Sequence, residues 1–277
     1  DGMNRDALIE ATRGADIIFN GLNPPYTDWH DRALPMAENT LAAASAHGAL
    51  HLFPGNVYPY GSKLPPLLTP DTPLRPDHAK ARIRADMQHR FEAAARRGAV
   101  QTVVLRAGDF FGGTGTGSWF DLVLSEKLDS DRFTWPGNPK IDHAWAYLPD
   151  LAQAFVRLAA HQDDLPMFSS FTFAGHTASG EAMQRATERA VGRRLRRRAL
   201  PGFLVSIAGW VQPKMREVSE VFYLWHRPHR LDGSALEAVT GPLPHTPLDE
   251  AVRQALAELG RLPEAAAGAP ALRAIAA

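Results

Sequence analysis

Apolar positions along the chain follow two rhythms in turn, short continuous runs and longer stripes at three-to-four spacing, which predicts strands alternating with helices. Residues 4 to 12 carry Ala7, Leu8 and Ala11 on one helical stripe, with Asn4 placed to cap the first turn and Gly14 to stop it. Ala15 to Asn20 is a short apolar run, β-branched in its middle, of the kind buried on both faces of a sheet. Residues 28 to 47 are alanine-rich and helix-forming; Pro35 kinks that helix or delays its start, and Gly48 closes it. Leu50 to Phe53 begins a second buried strand, which runs into the turn-rich Pro54-Gly55-Asn56. Pro59, Pro65, Pro66, Pro70, Pro73 and Pro76 make residues 59 to 77 an extended loop. A helix is expected from about His78 to Arg97, closed by Gly98, and then a third strand over Gln101 to Arg106.

Strands and helices alternating at these lengths form right-handed βαβ units, so the fold class is α/β with a parallel sheet. Beyond about residue 113 the pattern loosens into helices near 118 to 127, 149 to 161, 179 to 191, 203 to 224 and 247 to 259, with a strand at 169 to 174. That half reads as a smaller, mainly helical lobe over the carboxyl edge of the sheet. The expected division is a sheet domain over 1–113 and about 140–175, a substrate lobe over about 114–139 and 176–260, and a loose tail at 261–277.

Composition narrows the function. Thirty basic and thirty acidic residues among 277 cancel, leaving no global field to recruit nucleic acid or an acidic membrane surface. Cysteine is absent, which excludes disulfides, thiolate metal sites and a cysteine nucleophile. No apolar run approaches the roughly 20 residues that span a bilayer, and the first residues lack a signal-peptide layout, so the default expectation is cytoplasmic. The chain starts at Asp1 instead of methionine and enters a helical pattern at once, which reads as a fragment or a processed chain.

Several landmarks stand in a telling order: Asp1-Gly-Met-Asn-Arg-Asp-Ala-Leu8, Ala15-Asp-Ile-Ile-Phe-Asn20, Asn56-Val-Tyr58 with Gly61, Thr72-Pro73 with Pro76, Leu105-Arg-Ala-Gly-Asp-Phe-Phe-Gly112 and Ala146-Tyr-Leu-Pro-Asp-Leu-Ala152. In that order and spacing they resemble the NAD-dependent epimerase/dehydratase family, the extended branch of the short-chain dehydrogenases. The resemblance implies a Rossmann-type doubly wound parallel sheet and NAD or NADP as cofactor of the intact protein. It also implies a small-molecule substrate bearing hydroxyl, carbonyl or sugar-like groups. Such proteins open with a strand, a glycine-rich turn and a helix whose N-terminus receives the pyrophosphate. No such turn precedes residue 15, so the first βαβ units are expected upstream. Asp1 resembles the family's carboxylate that contacts the adenine, and the resemblance places Gly21, Leu22, Asn23, Pro54 and Gly108 on the cofactor side. Family members often dimerise through a pair of helices, which implies a homodimer through 28–47 and 78–97. Gly112-Gly-Thr-Gly-Thr-Gly117 lacks phosphate-turn spacing and reads as a flexible substrate loop.

The family's chemistry uses a tyrosine, a lysine four residues on that lowers its pKa and holds the ribose, and a hydroxyl residue that orients the substrate. The corresponding positions here are His78, Arg82 and Pro54, all changed; a register shifted by two gives Lys80 and Arg84 instead. His78 can exchange protons near neutrality, with a helix cap as its plainer role. Arg82 keeps a permanent charge for ribose or phosphate. Tyr58 either enters the site in place of the missing tyrosine or packs. Asn56, Asp109 and Phe111 fall on the substrate side, with a loop cap as the plain role of Asp109.

Lys63 and Lys80 read as solvated, His226 and His229 as a surface loop without metal-ligand spacing, and Arg193 to Arg198 as a solvated edge. Phe203 to Trp210 reads as core or interface. Two functions remain open: an NAD(P)-dependent oxidoreductase or isomerase, and an NAD(P)-binding redox or ligand sensor without turnover. Loss of the Ser/Tyr/Lys set favours the sensor, and the retained lobe favours the enzyme.

Overall fold

The three leading apolar runs become neighbouring strands of one sheet in the computed structural model, which describes residues 1–114, 117–200, 202 and 213–262. In chain order the elements are α1 (Arg5–Ala11), β1 (Ile17–Phe19), α2 (Leu34–His47), β2 (Leu50–Gly55), β3 (Leu67–Leu68), α3 (Ala79–Arg96), β4 (Thr102–Arg106) and β5 (Asp109–Phe111). There follow β6 (Arg132–Trp135), β7 (Asp142–Tyr147), α4 (Leu148–Ala160), β8 (Phe168–Thr172), β9 (His176–Ser179), α5 (Gly180–Val191) and β10 (Arg196–Ala199). The last elements are α6 (Pro213–Ser219), β11 (Arg230–Leu231), α7 (Ser234–Thr240) and α8 (Leu248–Glu258).

Strands β1, β2, β4 and β8 lie side by side in that order, and every pairing is parallel. Alternation along each strand divides the core between two layers of helices. Leu50, Leu52, Val103 and Leu105 face α4 and α7 through Leu151, Ala154, Phe155 and Leu236. Phe53 and Val104 face the other way, onto Met87 and Phe91 of α3. Helices on both faces make the sheet doubly wound, the Rossmann-type arrangement. β1 ends the sheet, where Ile17 and Phe19 are 41% and 53% exposed.

Local signals act where expected. Asn4 accepts the Ala7 N–H at 3.0 Å to cap α1, and Gly48 ends α2 at φ 63°. Pro35 delays its helix, since it sits in the first turn of α2 behind a π-turn over Trp29–Ala33. Other segments differ. The proline-rich loop holds the two-residue β3, paired with β11. Residues 118 to 127 form a π-turn over Phe120–Leu124 where an α-helix was expected, and a 3-10 turn follows at Leu128–Ser130. The chain also carries strands that periodicity did not reveal: β5, β7 and β9 form one sheet, and β6 and β10 another. Of the helix expected over 203–224, α6 and a 3-10 turn at Phe222–His226 are described; Phe203 to Trp210 and the tail from 263 lie outside the described residues.

One buried ion cluster pins the lobe to the sheet domain. Lys80, expected in solvent, has a side chain only 1% exposed, and its ammonium contacts Glu217 and, at 2.8 Å, Glu220. Glu220 also accepts the Ala79 N–H at 2.6 Å, satisfying an open donor of α3's first turn. Burial by itself would raise the Glu220 carboxyl, but the nearby His78 ring together with hydrogen bonds from Lys80 and Ala79 outweighs it and holds it at about 2.

Replacing Lys80 with Met should cost about 3 kcal/mol in urea unfolding, because two half-buried carboxylates lose their cation. Adding Glu217→Gln and Glu220→Gln to that variant should recover part of the loss, and a Lys80→Met cost near zero would show the cluster to be idle. A second prediction concerns His51. Within the sheet, Asn20 Nδ2 donates to His51 Nε2 at 3.2 Å, leaving Nδ1–H to donate to Thr102 Oγ1 at 3.3 Å. Burial lowers this ring to about 3. The unfolded ring takes a proton below about pH 6.5 while the folded one stays neutral, so stability present above pH 6.5 drains away as pH falls toward 3, at about 1.4 kcal/mol per unit. Between pH 7 and pH 5 the wild type should therefore lose about 2 kcal/mol more than His51→Gln.

Candidate active site

Parallel strands end together, so the segments after β1, β2 and β4 emerge at one carboxyl edge. After β2, the Asn56 side chain accepts the Tyr58 N–H at 3.2 Å, and Arg106 Nη1 donates to the Asn56 carbonyl at 3.0 Å. The 3-10 turn Tyr58–Tyr60 closes at Gly61, where φ is +77° and a Cβ would lie 2.1 Å from the Arg75 carbonyl. After β4, Gly108 presses so closely on β7 that a Cβ would lie 2.2 Å from the Ala144 carbonyl. That contact lets β5 pair with β7, Asp109 opposite Trp145. His143, two residues before Trp145, shares its face.

The result is a dyad. His143 Nε2 and Asp109 Oδ2 are 2.8 Å apart, with side chains 2% and 16% exposed. Trp225 stacks on the His143 ring at 4.4 Å and 10°, and His229 meets it edge-on at 4.6 Å. His229 is therefore buried, not part of a surface loop; burial first, then nearby His143, lowers it to about 4. Three phenols lie within reach of the Asp109 charge. Tyr26 and Tyr58 share a hydrogen bond of 2.7 Å, and Tyr223 stands 3.3 Å from His78 Nε2. Burial raises all three, and the Asp109 charge raises them further.

His78 caps α3: its Nδ1 accepts the Ala81 N–H at 3.3 Å, which leaves Nε2–H to donate to the Tyr223 hydroxyl. Its ring lies 6.4 Å from that of Tyr58. His78, Tyr58 and Asp109 thus gather at one end of the sheet, and Arg82 does not join them. Arg82 is exposed and donates to the Asp77 carbonyl at 3.1 Å. Two residues on, Arg84 turns inward between the rings of Trp29 and Phe53, 4.7 and 5.2 Å from their centres. Lys80 lies 5.2 Å from the centre of the Tyr26 ring, so Lys80 and Arg84 point to this end of the sheet, where Arg82 does not.

Phe111 is fully buried among Phe120, Trp145 and Tyr147, in the core and not on a substrate surface. Gly108 is taken up by its contact with β7 and Asn56 by its turn, while Pro54 sits half-buried within β2 beside Leu105. On the expected cofactor side, Asp1, Gly21, Leu22 and Asn23 are exposed. Asn39 Nδ2 holds the Gly2 carbonyl at 3.1 Å, and Gly2 packs on Leu22, which brings Asp1 beside residues 21–23. Arg84 Nη2 donates to Asn23 Oδ1 at 3.3 Å, while its buried Nε has no hydrogen-bond partner. Burial lowers Arg84 to about 10, which still leaves it charged at neutral pH. An unsatisfied cationic donor beside Asn23 suits the ribose or phosphate oxygens of a dinucleotide.

His143, Tyr26 and Tyr223 were not found from the sequence. The signal for His143 was a polar residue alternating with Trp145 and Tyr147 in a short aromatic run. Among the described residues no group of three or more His, Asp or Glu side chains is placed to hold a metal, and no helix is long and apolar enough to cross a membrane.

No protein-family model and no curated protein sequence matches the chain. Solved structures do. UDP-glucose 4-epimerase from Bifidobacterium longum, in complex with NAD+ and UDP, superposes with a TM-score of 0.71 at 14% identity, over 92% of this chain and 80% of that one. dTDP-glucose 4,6-dehydratase from Bacillus anthracis, in complex with NAD, gives 0.72 at 12%, over 92% and 76%. RMD from Pseudomonas aeruginosa, complexed with NADPH, gives 0.68 at 15%, over 93% and 86%. With both helical layers, the parallel strand order and this likeness together, the chain has the fold of the NAD-dependent epimerases and dehydratases.

Proposed function

We propose that the protein is an NAD(P)-dependent oxidoreductase or epimerase/dehydratase-type enzyme acting on a small hydroxyl, carbonyl or sugar-like substrate. The observation that carries this reading is Arg84: a half-buried guanidinium whose Nη2 reaches Asn23 and whose enclosed Nε–H lacks a hydrogen-bond partner, at the carboxyl edge where open α/β sheets bind ligands. A bound dinucleotide supplies the hydride acceptor or donor. Asp1, Gly21, Leu22 and Asn23 line its path, and Arg84 takes the place of the family's lysine. Tyr58 and Tyr26, kept neutral by burial, orient a substrate oxygen by hydrogen bonding.

One observation favours the rival reading of a sensor without turnover. The His78 ring is engaged at both nitrogens, by the α3 cap and by Tyr223, which leaves neither directed at a substrate. Turnover separates the two readings, since both predict dinucleotide binding.

Titrating the full natural chain with NADH or NADPH should change the cofactor's fluorescence. Arg84→Ala should weaken that binding about 10- to 100-fold, the effect of losing charge-assisted hydrogen bonds, while Arg82→Ala should change it less than about twofold. The opposite ranking would return the cofactor to the unshifted register, and failure of both nucleotides to bind would end the reading.

A further inference from the structure

An oxidation of an alcohol needs a group to take the hydroxyl proton, and neither the raised phenols nor the committed His78 ring fills that need. Asp109 stands where the phenols of Tyr26, Tyr58 and Tyr223 and the ring of His229 all feel its charge. Its Oδ2 is engaged by His143 Nε2 at 2.8 Å, and its side chain keeps a solvent-accessible portion. A buried imidazole that stacks on Trp225 and meets His229 edge-on cannot rotate freely, so the carboxylate it contacts is held in one orientation.

We propose that Asp109 is the catalytic base of this site and that His143 is its positioning residue, an inference that rests on the dinucleotide reading above. The substrate O–H bond breaks and its proton passes to Asp109 Oδ1. The electron pair left on oxygen closes the carbonyl, and a bound dinucleotide would take the hydride from the same carbon, so that the alcohol would be oxidised, the dinucleotide reduced by two electrons and the proton left on Asp109. In the reverse direction the protonated carboxyl returns that proton to the forming alkoxide. His143 donates its Nε2–H to Oδ2 throughout, leaving Oδ1 for the substrate.

Two measurements test the proposal separately from cofactor binding. In the unliganded full chain, proton magnetic resonance should show a downfield, slowly exchanging ring N–H from His143, absent in His143→Gln and moved upfield in Asp109→Asn. With NAD+ or NADP+ and a panel of small secondary alcohols and polyols, Asp109→Asn should lower kcat about 10²- to 10⁴-fold, with the NADPH Kd changed less than about twofold. His143→Gln should lower kcat more than it raises KM and displace the pH–rate profile, which a merely structural role would leave in place. The proposal is overturned by a ring N–H that is missing in the wild type or indifferent to Asp109→Asn, or by an Asp109→Asn enzyme that works at the wild-type rate. It is also overturned if the wild type binds the dinucleotide yet oxidises no member of the panel, the outcome that supports the sensor. Absence of dinucleotide binding instead strikes the reading beneath it, and the unliganded spectrum still decides whether the dyad exists.

Discussion

Parallel pairing of β2 with β4 is the constraint on which the molecule depends. Parallel strands joined by crossovers must be covered on both faces, because each crossover helix lies over the sheet. Leu50, Leu52, Val103 and Leu105 therefore go to one helical layer, and Phe53 and Val104 to the other. The same pairing brings the segments after both strands to one edge. Tyr58 and Asp109 lie 51 positions apart in sequence, yet the Asp109 charge reaches the Tyr58 phenol.

Around that edge the protein buries polar groups it can satisfy and leaves a few that it does not. His51 is neutral and bonded at both ring nitrogens, so it locks β2 to its neighbours without a charge. Lys80 is charged and enclosed by two carboxylates, so it ties α3 to the segment that carries Tyr223 and Trp225. Arg84 keeps a buried N–H without a partner.

In the proposed reading, changing the Ser/Tyr/Lys set alters the division of labour in the site more than its location. Burial makes the phenols neutral hydrogen-bonding groups, the cap commits His78, and the inward cation moves two residues along α3 to Arg84. The Asp109 carboxylate is held by a histidine from the neighbouring strand of the same small sheet.

The sequence by itself determined the α/β class, the three leading strands, the caps at Asn4 and Gly48 and the gathering of residues 56–58 and 109 at one edge, because these follow from local periodicity and from turn residues acting within a few positions. Only the tertiary structure decided which turn of α3 faces the site, since a two-residue register shift turns a helix by about 200° and changes no local pattern. The burial of Lys80 and His229, the core position of Phe111 and the meeting of His143 with Asp109 were likewise decided there. Each depends on a partner 30 or more residues away, Glu217 and Glu220 for Lys80, His143 for His229, Trp145 for Phe111 and Asp109 for His143, and hydropathy along the chain carries no record of such partners.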